Sequence, residues 1–394
     1  MMVSLTDDNV RQIRLRAQRL VRQSPETKSS VVRLVKELCG IQAQDARAAT
    51  LAVRVRSSGL VAADVHDARI QDRSVVRMWG LRGTLHLLAV EDLDWLLPLL
   101  GPPFIAGDRR RRAELGLDEE TCTRGIRLIR HVLTSQGSLN RDELVEQIAA
   151  HGLRLVGQAR PHLLSRAALE GVICFGPDRD GEPTYVLLSD WIGQEHTIRS
   201  FSEVAAHAEL TRRYLGAYGP ATPHDQATWS GLPLSQTRAA WQHLADQLLE
   251  VEVAGSPAWL LKKDAARLNE QPVPTPIVHL LPSFDTYLLG YRKRDLLVPP
   301  QYARRINSGG GMLHPTLLAN GRAVGTWKSK QQKNHLQVQV EPFAQLAPEV
   351  SAEVEAEVSD LARFLEIKTW IVQENSGGLL DASKQKKEAE RDPG

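Results

Sequence analysis

The sequence has little cysteine and no long apolar run, and both absences narrow what the chain can be. Its 394 residues include three cysteines, Cys39, Cys122 and Cys174, which lie far apart. They form neither a disulfide framework nor a zinc-binding spacing, which fits a reducing compartment. The most apolar region is interrupted by acids and prolines, so no stretch could cross a bilayer. Because the N-terminus also lacks the apolar core of a signal peptide, we expect a cytoplasmic protein without a membrane partner.

Familiar catalytic motifs are also missing. The twelve histidines form no HExxH metal-binding pattern. The stretch "NSGGG" at 307–311 lacks the strand-to-helix context and the lysine of a phosphate-binding loop. "SFD" at 283–285 has no partner residues at the spacing of a hydrolase triad. We therefore expect no metal and no cofactor.

Charge is close to balanced overall but unevenly distributed. The formal net charge is +2, yet residues 1–56 carry eleven Arg and Lys against five Asp and Glu. Four consecutive arginines follow at 109–112. Basic patches on a nearly neutral protein suit a polyanionic partner on one face, although a solvated charged surface would have the same composition.

One pattern recurs along the chain, namely helices followed by a β-hairpin. Helical spacing and caps predict three helices and then two strands around a Gly/Pro/Asp-rich turn, which is the outline of a winged helix. In the middle copy these segments are 118–137, 138–152, 158–171 and the hairpin 172–188, with Asn140 or Ser138 as the cap of the second helix. In the next copy they are 203–219, 222–231, 233–247 and the hairpin 248–263, with Thr222 as the cap of the second helix.

The two ends of the chain are less regular. Near the N-terminus, one helix is predicted around 31–38, a second begins after Asp45, and 73–88 is interpreted as a helix end that leads into a strand. After a Pro-rich linker at 271–276, alternating residues around Asn320-Gly321 predict a hairpin, and 348–366 a helix.

The fold prediction is therefore an α+β chain of three tandem winged-helix units and a β-rich C-terminal part with a helix. The predicted boundaries are 1–105, 106–197, 198–270, 271–375 and a polar, disordered tail at 376–394.

The most informative short stretch is "CGIQAQDAR" at 39–47, which joins two predicted helices. Gly40 ends the first helix and Asp45 caps the second, so residues 41–44 form a short connection. If this connection is extended, Gln42 and Gln44 point to the same side, whereas in a helix they would diverge. The alternatives are a surface loop, or amides that cap nearby backbone groups.

Three fragments together carry a family resemblance. They are "MWGLRGTLHLL" at 78–88, "LLPSFDTYLLGYRKRD" at 280–295 and "NGRAVGTWK" at 320–328. Over about residues 10 to 370, the chain resembles the winged-helix DNA glycosylases of the AlkZ type, the azinomycin B resistance glycosylases. The resemblance implies three tandem winged helices, a DNA-sized channel, and excision of N-alkylated purines, including natural-product crosslinks.

The family's catalytic signature, two polar residues around an aliphatic one, falls on Gln42-Ala43-Gln44. Alanine is a small residue for the middle position. Glutamine at 44 resembles the antibiotic self-resistance branch more than the housekeeping Gln-Asp branch. The implied activity is a monofunctional DNA glycosylase that acts on double-stranded DNA as a monomer. It would release N7-alkylguanine, N3-alkyladenine, bulky adducts or interstrand crosslinks, in self-resistance or DNA repair.

Two amides can serve this reaction because an alkylated purine already carries positive charge and needs little acid assistance. What remains is to place water under an oxocarbenium-like sugar and to meet its charge with oriented dipoles. Asp45 is the nearest carboxylate and the alternative base, although a helix N-cap is its preferred role. No lysine is placed to suggest a Schiff base. The alternative function is a non-catalytic winged-helix DNA-binding regulator.

Several basic residues are candidates for contacts to DNA, either with phosphate charge or through a hairpin tip that enters a groove. Each has a structural or solvent-exposed alternative. Arg82, Thr84 and His86 would share one face if 82–86 is a strand, and Arg322 lies beside the Asn-Gly turn. The full set is Arg47, Arg82, His86, Arg109, Arg110, Arg322, Lys328 and Lys330.

Overall fold

The computed structural model of the chain describes residues 3–21, 30–193, 201–273 and 276–374. It mixes helices and sheets, which confirms the predicted α+β class. The predicted tail at 376–394 lies outside the described residues, as does part of the predicted linker. Within the described ranges, no helix combines the length and apolar character that a membrane span requires.

In the first part of the chain, a short N-terminal strand and a helix precede a helix, a short strand, two helices and a hairpin. Its elements are β1 Val3–Leu5, α1 Asp7–Ala17, α2 Val31–Glu37, β2 Ile41–Gln42, α3 Ala46–Arg54, α4 Ala62–Ile70, β3 Val75–Trp79, β4 Leu85–Ala89 and α5 Leu93–Gly107. The helix predicted at the start of 73–88 is wrong, because β3 and β4 form an antiparallel hairpin around a 3-10 turn at Leu81–Gly83. β3 is mostly buried, so its residues do not show the alternation of buried and exposed positions that distinguishes a strand from a helix.

The second part repeats this order. Its elements are α6 Arg109–Glu114, α7 Glu119–Gln136, β5 Leu139–Asn140, α8 Arg141–Ala150, α9 Ala159–Leu169, β6 Ile173–Phe175, β7 Thr184–Leu187 and α10 Leu188–Ile192. Asn140 caps α8 through a bond from Glu143 N at 2.9 Å, and the Glu143 carboxylate accepts from Asn140 N at 2.8 Å. This reciprocal pair confirms one of the two caps predicted for this helix.

The third part has the same order with a reduced first strand. Its elements are α11 Glu203–Tyr218, α12 Pro223–Ser230, α13 Leu234–His243, β8 Leu248–Val253 and β9 Ser256–Leu261. Thr222 caps α12, as predicted, and a single β-bridge between Ala221 and Trp259 takes the place of the short strand. β1 runs parallel to β8, so the N-terminal strand joins the sheet of this third part.

One six-stranded sheet joins the first two parts, in the order β2-β4-β3-β6-β7-β5. The two hairpins meet where Arg77 on β3 pairs with Phe175 on β6. Each of the first two parts of the chain contributes to this sheet a hairpin and one short strand that precedes its second helix. The first two parts therefore have matching topologies and share one continuous sheet, which fixes β2 relative to α9.

The C-terminal part is a sheet covered by a helix. Its elements are β10 Val278–Leu281, α14 Thr286–Leu289, α15 Ala303–Ile306, β11 Asn307–Gly309, β12 Met312–Leu313, β13 Thr316–Ala319, β14 Arg322–Gln332, β15 His335–Pro342, α16 Pro348–Phe364 and β16 Thr369–Glu374. The sheet order is β10-β13-β14-β15-β16. Asn320 and Gly321 both have positive φ, 49° and 78°, which confirms the predicted two-residue turn.

Buried ion pairs tie the helix α3 to the C-terminal part. Arg54 donates to Glu357 and to Asp360, each at 2.9 Å. Arg56, just past α3, donates to both carboxylate oxygens of Asp285, at 2.7 and 2.8 Å. Because a buried charge is costly without its partner, these contacts restrict where α3 can lie. The connection that carries Gln42 and Gln44 immediately precedes this helix.

Candidate active site

Gln42 lies in the sheet and is almost fully enclosed. It ends β2, stands opposite His86 of β4, and is 7% exposed. Its side-chain oxygen accepts a hydrogen bond from the guanidinium of Arg82. Since arginine only donates, this contact also fixes which end of the amide faces Arg82. An amide oxygen has two lone pairs, so Gln42 Oε1 can accept a second hydrogen bond while Arg82 holds its orientation.

Gln44 is exposed and lines a cavity of about 410 Å³. Its side-chain oxygen lies 3.5 Å from the backbone nitrogen of Leu85, which is a long contact for a hydrogen bond. Arg82 lines the same cavity. Arg82 therefore adjoins both glutamines, one by a direct hydrogen bond and the other across a shared cavity.

The backbone between the two glutamines is held on both sides. Ala43 N donates to Leu85 O at 2.7 Å, which extends the pairing of β2 with β4 by one residue. On the other side, Arg77 Nε donates to Ala43 O at 3.0 Å, and its terminal nitrogen lies 3.4 Å from Gln44 O. Ala43 itself is fully buried in the core, so its small side chain matches the enclosed position.

Asp45 is the N-cap of α3, as predicted. Its carboxylate oxygen Oδ1 accepts a hydrogen bond from Ala48 N at 3.0 Å. This bond satisfies one of the unpaired donors at the start of the helix. One carboxylate oxygen of Asp45 is thereby directed to the helix backbone.

Arg82 does not lie on a strand, so the prediction that it shares a strand face with Thr84 and His86 is wrong. It sits in the 3-10 turn between β3 and β4 with φ of 56°, a left-handed conformation that is uncommon outside glycine. Besides Gln42, its guanidinium donates to the backbone oxygen of Trp229 on α12. A Cβ atom at Gly231, which follows α12, would lie 2.9 Å from Arg82 Cα. Glycine at 231 is thus what allows α12 to approach this turn.

His86 is buried, at 2% exposure, and its Nδ1 lies 3.0 Å from Thr84 O. Burial, together with the charge of Arg82, lowers the pKa of His86 to about 3, so the ring is neutral at pH 7. The predicted contact of His86 with DNA phosphate conflicts with this placement, because the ring would have to leave the sheet. Its position opposite Gln42 makes it part of the support for that residue.

The cavity beside Gln44 lies between the first and second parts of the chain. Trp79 and Phe104 contribute aromatic surface, and Trp79 stacks on Phe175 with ring centroids 5.5 Å apart. Residues along most of the length of α9 supply much of the opposite wall, namely Pro161, His162, Ser165, Arg166 and Leu169. The polar and charged residues that line the cavity are Gln44, Arg82, Asp108, Arg112, Gln158, His162, Ser165 and Arg166.

Sequence reasoning missed Arg77 and the contribution of α9 to this cavity. A charged residue within the apolar strand segment "VVRMW" was a usable signal for Arg77, since such a residue needs a partner when buried. The α9 residues gave no comparable signal, because they are more than a hundred positions from Gln44 in sequence.

The comparisons with known proteins agree with this geometry. A family model described as DNA glycosylase AlkZ-like matches residues 35–364. The chain belongs to the AlkZ-like DNA glycosylase family. It is 29% identical over 360 residues to an interstrand DNA cross-link repair glycosylase from Streptomyces sahachiroi, a match that covers 88% of this chain and 94% of the relative. The solved structure of Streptomyces sahachiroi DNA glycosylase AlkZ is similar, with a TM-score of 0.78 and 26% identity over 95% of this chain and 100% of that chain.

Membership in the AlkZ-like family confirms the resemblance found in the sequence and makes the chain a DNA N-glycosylase. It also decides against the alternative of a non-catalytic regulator. The family match includes the connection at 39–44, the turn that holds Arg82, and the whole of α9.

The basic residues predicted to contact DNA occupy several different surfaces of this AlkZ-like chain. Arg109 and Arg110 are exposed on α6, next to the cavity residues Asp108 and Arg112. Arg112, the last of the four consecutive arginines, is instead buried, with ion-pair partners Asp108 at 3.6 Å and Glu119 at 3.5 Å. The arginine run therefore divides into exposed members and one structural member.

Arg47 is exposed and approaches β14, where its guanidinium lies 3.5 Å from Ser329 Oγ. Lys328 and Lys330 flank Ser329 on the same strand, so their side chains point to the opposite face of the sheet. Lys328 also forms an ion pair with Glu341 at 3.1 Å. These two lysines and Arg47 therefore do not form one continuous basic surface.

Arg322 is exposed, but the Asn320-Gly321 turn beside it is not a free hairpin tip. Asn320 Oδ1 accepts from Ile277 N at 2.8 Å, and Gly321 O accepts from the hydroxyl of Tyr287 at 3.0 Å. These two contacts tie the turn to neighbouring elements, and its entry into a DNA groove stays a prediction.

Proposed function

We propose that this glycosylase hydrolyses the N-glycosidic bond of alkylated purines in double-stranded DNA, with Gln42 and Gln44 as its catalytic residues. The leaving groups would be N7-alkylguanine and N3-alkyladenine. Purines that carry bulky adducts or interstrand crosslinks would be further substrates of the same kind. The relative from Streptomyces sahachiroi, a cross-link repair glycosylase, supports this choice of substrates. We further propose that the enzyme releases the base without cutting the strand, since its nucleophile is water rather than an amine.

The chemistry follows from the charge of the substrate. An alkylated purine departs as a neutral base, so the bond needs little acid assistance. The sugar becomes positively charged as the bond breaks. Amide oxygens on Gln42 and Gln44 can hold a water beneath the sugar and meet its developing charge with fixed dipoles. Unmodified bases are neutral in DNA and would have to leave as anions, so they would be spared.

The observation that carries this proposal is the position of both glutamines around Arg82. Gln42 Oε1 is oriented by the guanidinium, and Gln44 lines the cavity that Arg82 also lines. Oriented polar groups need not reorganise during the reaction, which is what makes such groups effective. The buried β-pairing of Ala43 with Leu85 and the contacts from Arg77 keep the connection in place.

For DNA binding, we propose that the three repeated parts are winged helices around a concave channel. The matching order of helix, short strand, two helices and hairpin supports this interpretation. The exposed arginines Arg109 and Arg110 lie next to the cavity and are placed to contact phosphate there. We expect the enzyme to act as a monomer, without a metal or cofactor.

The test uses duplex DNA that contains one N7-methylguanine, in single-turnover reactions followed by chemical cleavage of abasic sites. Wild type should release the base, and the Gln42→Ala, Gln44→Ala double variant should be slower by about 100- to 1,000-fold, as for loss of a preorganised polar group. The matched control is Gln136→Ala with Gln147→Ala, which removes two surface glutamines that bond to each other at 2.8 Å.

The control pair should react at the wild-type rate. Absence of base release by wild type across pH 5 to 9 would overturn the proposed activity, and a normal rate for the Gln42/Gln44 pair would move the site elsewhere. A panel of N7-methylguanine, N3-methyladenine, a bulky N7-guanine adduct and an interstrand crosslink would then define the substrate range.

A further inference from the structure

The proposed reaction produces a proton that the two glutamines cannot keep. When the bond between C1′ and the purine nitrogen breaks, its electron pair neutralises the positive charge of the alkylated base. The oxygen of water forms a new bond to C1′, and one water proton must then leave. Because the base departs already neutral, it has no need for this proton, and an amide is too weak a base to retain it.

A histidine and a carboxylate face the same cavity as Gln44. His162 projects from α9 and Asp108 lies between α5 and α6, and both line the cavity. His162 Nδ1 is 2.7 Å from Asp108 Oδ2. A carboxylate can only accept, so the neutral ring carries its hydrogen on Nδ1, which leaves Nε2 as the proton acceptor.

The groups around this pair restrict the choice of acceptor. Arg82, Arg112 and Arg166 line the cavity as cations, and arginine does not act as a base in proteins. Arg112 lies 3.6 Å from Asp108, while Glu119 of α7 pairs with Arg112 and Arg166 outside the cavity lining. Among the described residues that line the cavity, His162 and Asp108 are the ones able to accept a proton.

We propose that His162, oriented by Asp108, accepts the proton released by hydrolysis. This inference rests on the proposed glycosylase activity. The balance is complete without a further reactant: the alkylated base leaves neutral, the sugar gains a hydroxyl group, and the imidazole becomes an imidazolium beside the Asp108 carboxylate. The proton reaches Nε2 through water in the cavity.

The test is the pH dependence of single-turnover release of N7-methylguanine by the full chain. The wild-type rate should fall as pH is lowered from 8 to 5, because a histidine that is already protonated cannot accept a further proton. His162→Gln should be slower than wild type at pH 8 by about 10- to 100-fold, which is at or below the usual contribution of a general base. The rate of this variant should stay constant between pH 8 and pH 5. Asp108→Asn should show an intermediate loss.

The control is His151→Gln, an exposed histidine that follows α8, does not line the cavity and contacts the ring of His131. It should keep both the wild-type rate and the wild-type pH profile. The affinity of each variant for substrate DNA and its melting temperature are measured in parallel, because a merely structural role would change those quantities without flattening the pH profile.

Two results separate this inference from the activity on which it rests. If wild type releases the base but His162→Gln keeps the wild-type rate and pH profile, the proton acceptor lies elsewhere. If wild type releases no base, the proposed function itself is overturned. A His162→Gln variant that loses only DNA affinity would make His162 a binding residue and would also overturn the inference.

Discussion

The connection before the second helix differs sharply between the first part of the chain and its two repeats. Between the end of one helix and the cap of the next, the second part has only residues 138–139, and the third only 220–221. In the first part the same connection spans residues 39–44, which is six residues in place of two. Gln42, Ala43 and Gln44 all lie in this longer connection.

One topology thus supports both structural connections and a candidate catalytic connection. Asn140 ends its short strand and also caps α8, and Thr222 caps α12 directly after its bridge, so neither connection has a residue to spare. In the first part, Gln42 ends β2 while Asp45 provides the cap. In the first part, different residues therefore end the short strand and cap the following helix. The extra length leaves Gln44 free to face the cavity.

A longer connection has more conformations to lose on folding, so it must be held by contacts that the short ones do not need. Arg77 binds the carbonyls of Ala43 and Gln44, and Arg82 binds the side chain of Gln42. The two arginines belong to the hairpin that follows, on β3 and in the turn after it. The hairpin of the first part therefore supports its own connection.

The largest loss of activity from a change near this connection should come from Arg82→Met. This substitution keeps much of the apolar stem but removes every hydrogen bond of the guanidinium. Gln42 loses the cation that orients its amide, and Trp229 O loses a donor. Loss of a hydrogen bond from a charged group is worth about 1.5 to 3 kcal/mol, so base release should slow by roughly 10- to 100-fold. The rate is measured in single turnover at saturating enzyme.

Arg82→Lys separates orientation from charge, because lysine retains the charge but lacks the planar fork that reaches two acceptors. Its rate should lie between those of Arg82→Met and wild type. If Arg82→Met reacts at the wild-type rate and loses only DNA affinity, then Arg82 binds phosphate and does not support Gln42.

Local features of this region were predictable from the sequence. Asp45 could be identified as a cap because a cap depends on a residue and the three that follow it, and the same holds for Thr222 and Asn140. The spacing predicted that the two glutamines would face one side if the connection were extended; the strand reaches Gln42, whereas Gln44 lies in the bend before Asp45. The family resemblance then gave these two residues a role.

Long-range features were not predictable, because nothing in a single sequence records which distant residues touch. Arg82 reaches Trp229, 147 positions away, and His162 meets Asp108, 54 positions away. β3 was misjudged since it is paired on both sides and mostly buried, and therefore shows no alternation. The packing of the Asn320-Gly321 turn against Tyr287 was likewise invisible in a pattern that specifies only the turn.

A smaller effect should follow from Gly231→Ala, which acts on the site without removing any of its groups. The new Cβ atom would lie 2.9 Å from Arg82 Cα and 3.1 Å from the ring of Phe104, so the turn that carries Arg82 must shift. We expect base release to slow about 3- to 10-fold, since small misplacements of positioned groups reduce rates. Gly255→Ala is the control, because Gly255 has a similar φ of 72° and no atom within 4 Å of the new Cβ.

Both glycine variants should lose about 1 kcal/mol of stability from alanine in a left-handed conformation, and chemical denaturation measures that loss. Only Gly231→Ala should also lose activity. Equal activities in the two variants would show that α12 and the turn of Arg82 do not need their close contact for the reaction.

The smallest effect on activity should come from variants of Asp45. They test whether the residue that caps α3 takes no part in the reaction. Asp45→Asn keeps a good capping residue, and Asp45→Ala should destabilise the fold by about 1 kcal/mol. Asn140→Ala, at the equivalent cap of the second part, should be destabilising by a similar amount. All three variants should release N7-methylguanine at the wild-type rate under conditions where they are folded. A large loss of rate in Asp45→Asn, with its stability intact, would instead identify Asp45 as the base that activates water, because asparagine can cap a helix but cannot accept that proton.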